Sequence, residues 1–205
     1  MIEVIAFLGN YGMEYARTRH NVAWILSEML DISKNLIWKP KFRGDYAKDS
    51  ITLNGKPLHF IKPHTYMNAS GFSIGDIVSF HKISPSSLLV VHDEVELDLG
   101  TISLKVGGGL AGHNGLRSIK EHLGSSEFWR LRIGIGRPAP KSEKTVDMAG
   151  YVLSRIPDTE LSSILDNLDA LNALFSSIKD GDELTALLPR YAKLKPSLPS
   201  FISGN

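Results

Sequence analysis

Residues 87–115 read SLLVVHDEVELDLGTISLKVGGGLAGHNG. The apolar run Leu88, Leu89, Val90, Val91, bounded by serines and broken at His92-Asp93, predicts a fully buried strand that ends on a carboxylate. In open α/β sheets ligands gather outside the carboxyl ends of strands, so Asp93 stands where substrate would meet it. A second strand over Thr101 to Val106 opens into Gly107, Gly108 and Gly109, followed by Gly112. Without side chains these positions let backbone N–H groups approach a ligand and adopt positive φ freely.

Outward from this stretch, strand and helix patterns interleave. Val4 to Leu8 is a short buried strand ending at Gly9-Asn10, which brings Asn10 to another carboxyl end. Thr18 is a candidate N-cap for a helix whose apolar positions Val22, Ile25, Leu26, Met29 and Leu30 recur at helical spacing. His20 then falls in the first turn, where the helix dipole disfavours imidazolium unless a carboxylate opposes it. Residues 46–62 read as a hairpin about Asn54-Gly55, a type I′ turn signal. The strand Leu58 to Lys62 runs into the loop HTYMNAS, with Ser70 expected to cap a helix carrying Ile74, Ile77 and Val78. A short helix spans His113 to Leu123, and Trp129 to Gly136 alternates as a strand with Arg130 and Arg132 on one face. Arg137 to Pro140 and the Lys/Ser/Glu-rich residues after them read as a long exposed loop. Leu161, Ile164, Leu165, Leu168, Leu171, Phe175 and Ile178 predict one long helix over 158–178, with a shorter helix after Asp182 and a flexible tail over 196–205. The expectation is a single domain, residues 1–205. Its fold class is α/β, a three-layer sandwich with a mixed, mostly parallel central sheet flanked by helices.

Composition narrows the function. The chain has 205 residues and no cysteine, so disulfides and thiolate zinc sites are excluded, and a reducing compartment fits. No apolar run approaches the roughly 18 residues of a membrane span, and MIEVIAFLGN lacks the cationic start of a signal peptide. A soluble intracellular protein is expected. The net charge of +1 hides an uneven distribution. Residues 158–183 carry seven acids and one lysine, whereas 100–145 carry eight Lys/Arg and three acids. A local basic face for a polyanion is compatible with this, as are ordinary solvated charges.

Several motifs compete. Gly71-Phe72-Ser73-Ile74-Gly75 fits the G-x-S-x-G nucleophile elbow, with Asp93 and His113 in the right order, but Ser73 falls inside a helical pattern rather than on a strand-to-helix turn. Gly107 to Gly112 matches G-x-G-x-x-G, yet its mid-chain position and short helix fit a dinucleotide site poorly. His92, Asp93, Glu94, Glu96 and Asp98 are potential metal ligands, although strand alternation sends neighbours to opposite faces. Asn10, His20, Asn68, Asp93 and Asn114 recur where segments end. Singly, each Asn satisfies a turn. Together, a His oriented by an Asp activates water, and carboxamides hold water and a carbonyl oxygen, which is hydrolysis without a covalent intermediate. A serine esterase using Ser73, a non-catalytic RNA-binding module and a metal-dependent nuclease are the rival readings.

The blocks FLGNYGMEYARTRHN (7–21), KPHTYMNASG (62–71), HDEVELDLG (92–100), KVGGGLAGHNGLRSI (105–119) and FWRLRIGIGRP (128–138) closely resemble the bacterial peptidyl-tRNA hydrolase family. The resemblance implies cleavage of the ester joining a peptide to the 3′ ribose of tRNA by a cytoplasmic monomer, with peptidyl-tRNA as its nucleic-acid partner and no cofactor, metal or membrane. By the same resemblance His20 is the proton acceptor, Asp93 stabilises its basic form, and Asn10 distinguishes blocked from free aminoacyl esters. Tyr15, Tyr66, Asn68 and Asn114 match substrate-binding positions, and Lys105 and Arg132 match a pair gripping tRNA phosphate. Tyr11, where the family usually has Pro, departs from the pattern beside Asn10. Ala23 and Leu99 depart only in local packing.

Overall fold

A computed structural model describes residues 1–49, 55–138 and 147–196. Seven strands form one sheet: β1 (Val4–Phe7), β2 (Lys39–Lys41), β3 (Gly44–Asp49), β4 (Leu58–Pro63), β5 (Leu88–Glu94), β6 (Ile102–Val106) and β7 (Trp129–Gly134), in the spatial order β2-β3-β4-β1-β5-β7-β6. The four central strands run parallel, while β2, β3 and β6 add antiparallel edges. Every residue of β1, β4 and β5 is buried, as expected of parallel strands covered on both faces.

Two apolar layers enclose the sheet. Phe7, Leu89, Val91, Leu131 and Ile133 face one side with α1 (Val22–Met29), α5 (Asp158–Leu165), α6 (Leu168–Asp180) and α7 (Leu184–Tyr191). Val4, Ala6, Leu8, Leu88 and Val90 face α2 (Ser70–His81) and α3 (Asn114–Leu123) on the other. The strand periodicity of two sorts alternate residues into the two layers, which is the three-layer α/β sandwich expected from the interleaved pattern. α4 (Met148–Leu153) is a short helix on the rim, in a stretch whose composition predicts only loop.

Four local expectations are corrected. The predicted helix over 158–178 is two helices, because Asn167 is buried at the break and its side-chain amide donates to the Gly100 carbonyl at 2.7 Å. Ser70 does not cap α2: its hydroxyl donates backwards to the Met67 carbonyl at 2.9 Å. Thr18 heads a 3₁₀ turn, Arg19–Asn21, rather than α1 itself, and its hydroxyl bonds the Tyr15 carbonyl. His20 therefore precedes α1 instead of lying in its first turn. The β3–β4 hairpin pairs as expected, although its Asn54 turn residue lies outside the described residues, as do residues 139–146 of the expected loop and 197–205 of the expected tail.

Candidate active site

The site forms at the carboxyl ends of β1, β4 and β5, where the parallel strands deliver Asn10, the 64–68 loop and Asp93 to one rim. His20 Nδ1 lies 2.8 Å from Asp93 Oδ1, and both side chains are buried. A third group joins them. His113 Nε2 sits 3.0 Å from the same oxygen, and its ring lies 5.1 Å from that of His20.

Hydrogen bonding fixes the tautomers. His113 is the N-cap of α3, and its Nδ1 accepts from the backbone N–H of Gly115 at 3.1 Å and of Leu116 at 3.4 Å. Its proton therefore resides on Nε2 and is donated to Asp93. An ionised carboxylate only accepts, so His20 likewise donates from Nδ1 and keeps the Nε2 lone pair. Burial pushes the Asp93 carboxyl upward, but the neighbouring His20 and His113 outweigh it and hold the group well below the usual carboxylate range. Asp93 is thus a fixed negative acceptor. Gly115 allows α3 to seat so close, since a Cβ there would meet Met67 Sδ at 2.5 Å.

Asn10 is held by a residue that the sequence reading passed over. Asn21, fully buried, accepts from the Asn10 N–H and donates to the Asn10 carbonyl, both at 2.9 Å. Asn10 Oδ1 in turn accepts from the Met67 N–H at 2.7 Å, which ties the β1 loop to the β4 loop.

Two adjoining cavities form one cleft. One, about 340 Å³, is lined by His20, Asp93, Glu94, Gly112, His113, Asn114 and Arg137; the other, about 180 Å³, by Asn10, His20, Tyr66, Met67, Asn68 and Asn114. His20, Asn114, Ala149 and Val152 border both, so α4 roofs the passage between them. Arg19, mostly buried, ties that roof down. Its guanidinium makes two bonds to Glu160 at 2.7 and 3.0 Å, donates to Ser154 Oγ, and lies 4.4 Å from the Tyr151 ring centre.

Five of the expected residues, Asn10, His20, Asn68, Asp93 and Asn114, therefore border the cleft together with Tyr66. Tyr15 reaches it through an edge contact with Tyr66, ring centres 6.3 Å apart. Lys105 and Arg132 lie apart from both cavities, on one face of the β6–β7 ribbon, where Lys105 pairs with Arg130 and Arg132 with Ser103. Lys105 is exposed, whereas Arg132 is engaged by the buried Glu94 carboxylate at 3.0 Å. The glycine loop is occupied from within: Arg130, itself buried, donates to the carbonyls of Gly107 and Gly109.

The model of the peptidyl-tRNA hydrolase family matches residues 4–197. This chain belongs to that family. A curated peptidyl-tRNA hydrolase of Treponema pallidum is 50% identical over 163 residues, covering 79% of each chain, and one of Francisella tularensis subsp. novicida is 46% identical over 171 residues, covering 81% of this chain and 86% of that one. The crystal structure of the Acinetobacter baumannii peptidyl-tRNA hydrolase superposes with a TM-score of 0.82 at 36% identity, over 96% of this chain and 97% of that one.

Within this family fold the competing motifs acquire other roles. Ser73 is fully buried inside α2 and donates to the Phe42 carbonyl at 2.6 Å. Gly71 serves helix packing: a Cβ there would come 2.2 Å from the Ser118 carbonyl oxygen of α3. His92 Nδ1 turns to the backbone carbonyl of Asp93, Glu94 to Arg132 and Glu96 to Arg137, so the run of acids does not converge. Among the described residues, His20, Asp93 and His113 hold donor atoms within 4.8 Å of one another, close enough for a metal ion, and two hydrogen bonds to one shared carboxylate account for that spacing. No helix among the described residues is long and apolar enough to cross a membrane.

Proposed function

We propose that this protein hydrolyses the ester joining a peptide to the 3′ ribose of tRNA, with His20 as general base and Asp93 as its orienting anion. The observation that carries the reading is the His20–Asp93 contact at 2.8 Å beside a cleft rimmed by three carboxamides. His20 Nε2 takes a proton from water as its oxygen attacks the ester carbonyl. Asp93 favours the imidazolium that forms, and His113, donating to the same oxygen, keeps the carboxylate aimed. As the tetrahedral intermediate collapses, the carbonyl–ribose oxygen bond breaks and the proton passes to the departing ribose oxygen. Peptide acid and free tRNA result.

The carboxamides of Asn10, Asn68 and Asn114 match the donors and acceptors of a peptide backbone, so the smaller cavity takes the acyl side and the larger one the terminal nucleoside. Asn10, with its side-chain oxygen committed to the Met67 N–H, has its NH₂ left to donate to the acyl carbonyl that a blocked amine carries and a free one lacks. Lys105, with Arg132 beside it, meets phosphate along the β6–β7 face.

Incubation with N-acetyl-aminoacyl-tRNA and its free-amine counterpart, with and without chelator, tests this. Cleavage of the blocked substrate alone, unaffected by chelator, is expected. His20→Ala should lower kcat by roughly 10²–10⁴-fold. Near-normal turnover by that variant would remove the imidazole from the scheme.

A further inference from the structure

Four of the large exposed hydrophobic residues belong to, or adjoin, the mouth of the smaller cavity: Tyr66 and Leu153 in its wall, and Tyr11 and Met13 on the loop that leaves Asn10. Tyr11 is 54% exposed and Met13 90% exposed. The Tyr11 ring is nevertheless held. It lies on the His64 ring with centres 4.2 Å apart, and His64 is itself anchored by Asp45 at 2.9 Å. The Tyr11 N–H also donates to the carbonyl of Thr65, the residue before Tyr66. Backbone pairing therefore makes the Tyr11 loop continuous with the loop that carries Tyr66 into the cleft wall, and the Tyr11 ring beside it is already ordered.

From this continuity we infer that Tyr11, supported by His64 and flanked by Met13, forms an outer subsite for apolar side chains of the peptide beyond the esterified residue. The inference rests on the assignment of the smaller cavity to the acyl side. That cavity, about 180 Å³, has room for roughly six waters, so a peptide longer than one acylated residue must continue out across its rim. The charge of the rim selects peptide over nucleic acid. The Glu14 carboxylate folds back against Gly12, where a Cβ would meet it at 2.6 Å, and an acid there repels phosphate. The cations of β6 and β7 stand at one edge of the sheet, with β5 between them and β1.

The test compares three substrates: N-acetyl-aminoacyl-tRNA, and two N-acetyl-tripeptidyl-tRNAs carrying either Phe or Gln at the two residues beyond the esterified one. The wild type should favour the Phe peptide over the Gln peptide by about 2- to 10-fold in kcat/KM, through KM, the range of one added aromatic contact. Tyr11→Ala should bring that ratio close to one, and Tyr11→Phe should keep it. A ratio near one in the wild type, or one unchanged in Tyr11→Ala, overturns the subsite. So does an equal loss on all three substrates in Tyr11→Ala, which would assign Tyr11 to shaping the Asn10 loop. If the wild type leaves N-acetyl-aminoacyl-tRNA uncut, the hydrolase reading itself fails and the subsite with it. Cleavage that His20→Ala abolishes, with no side-chain preference, sinks the subsite alone.

Discussion

At the scale of single residues, the His20–Asp93 pair and Asn10 are held by neighbours through hydrogen bonds. Asn21 satisfies both backbone groups of Asn10 from a position with no solvent access. Asn21→Ala would strand a buried N–H and a buried carbonyl, each worth about 1–3 kcal/mol when left unpaired. Chemical denaturation should show a loss of roughly 2–6 kcal/mol for the two together, and kcat/KM on blocked aminoacyl-tRNA should fall with it as the Asn10 loop relaxes. A variant of unchanged stability would contradict the bonding described. The sequence names His20, Asp93 and the three cleft asparagines because each stands where a regular segment ends, a position that periodicity locates. It does not single out Asn21, and it links His113 to Asp93 only through the serine-triad motif, whose Ser73 is buried in α2. A polar residue buried against another loop looks the same in sequence as one facing water, and His113 otherwise reads as the start of a helix.

At the scale of elements, the strands were legible because buried parallel strands are short, uninterrupted apolar runs, and α2 and α3 because their apolar spacing is helical. The helix pair α5–α6 was not, since the stripe continues across Asn167 and only the Gly100 carbonyl, 67 residues away, explains the break. α4 escaped notice for a similar reason. Six residues carry little periodicity, and its place over the cleft is set by Arg19 and Glu160. The far end of α2 holds a titrating contact. His59 on β4 packs against His81 with ring centres 4.1 Å apart and shares a hydrogen bond with Tyr46 at 2.9 Å. Burial first, then the charges of His81, Lys48 and Lys41, lower its pKa to about 4. Between that value and the ordinary 6.5 the unfolded chain binds a proton that the folded chain refuses, so stability falls as pH drops through this window. At pH 5 the loss from His59 is about 2 kcal/mol. Asp93 is shifted in the same direction, because His20 and His113 beside it outweigh its burial, but its window lies lower. Its contribution is intact above about pH 4 and fades only below it, as pH falls toward its depressed value. Thermal melts at pH 7 and pH 5 should therefore differ less in His59→Gln than in the wild type, by roughly 4–8 °C for a chain of this size. Equal pH sensitivity in both proteins would free His59 of this role.

Across the whole molecule, the strand order distributes the chemistry. The β1 and β4 loops carry Asn10, Tyr66 and Asn68, β5 carries Asp93 beside them, and β7 and β6 carry Arg132 and Lys105 toward the edge. This uneven placement is what a net charge of +1 conceals. The two cations that the family resemblance pairs are not equivalent here, since Lys105 is exposed while Arg132 is largely neutralised by Glu94. Counterion release follows charge that is free before binding, so binding of peptidyl-tRNA should divide them. In a His20→Ala background that keeps the substrate intact, Lys105→Ala should flatten the slope of log K against log[salt] by about 0.7–0.9. Arg132→Ala should flatten it less, yet cost about 3 kcal/mol of stability, because it leaves the buried Glu94 carboxylate without its partner. Filter binding between 50 and 200 mM salt, paired with denaturant melts, reads both quantities. A full flattening from Arg132→Ala with unchanged stability would mean that Glu94 releases the guanidinium when RNA arrives, and that the ion pair at the sheet edge holds the cation ready for phosphate.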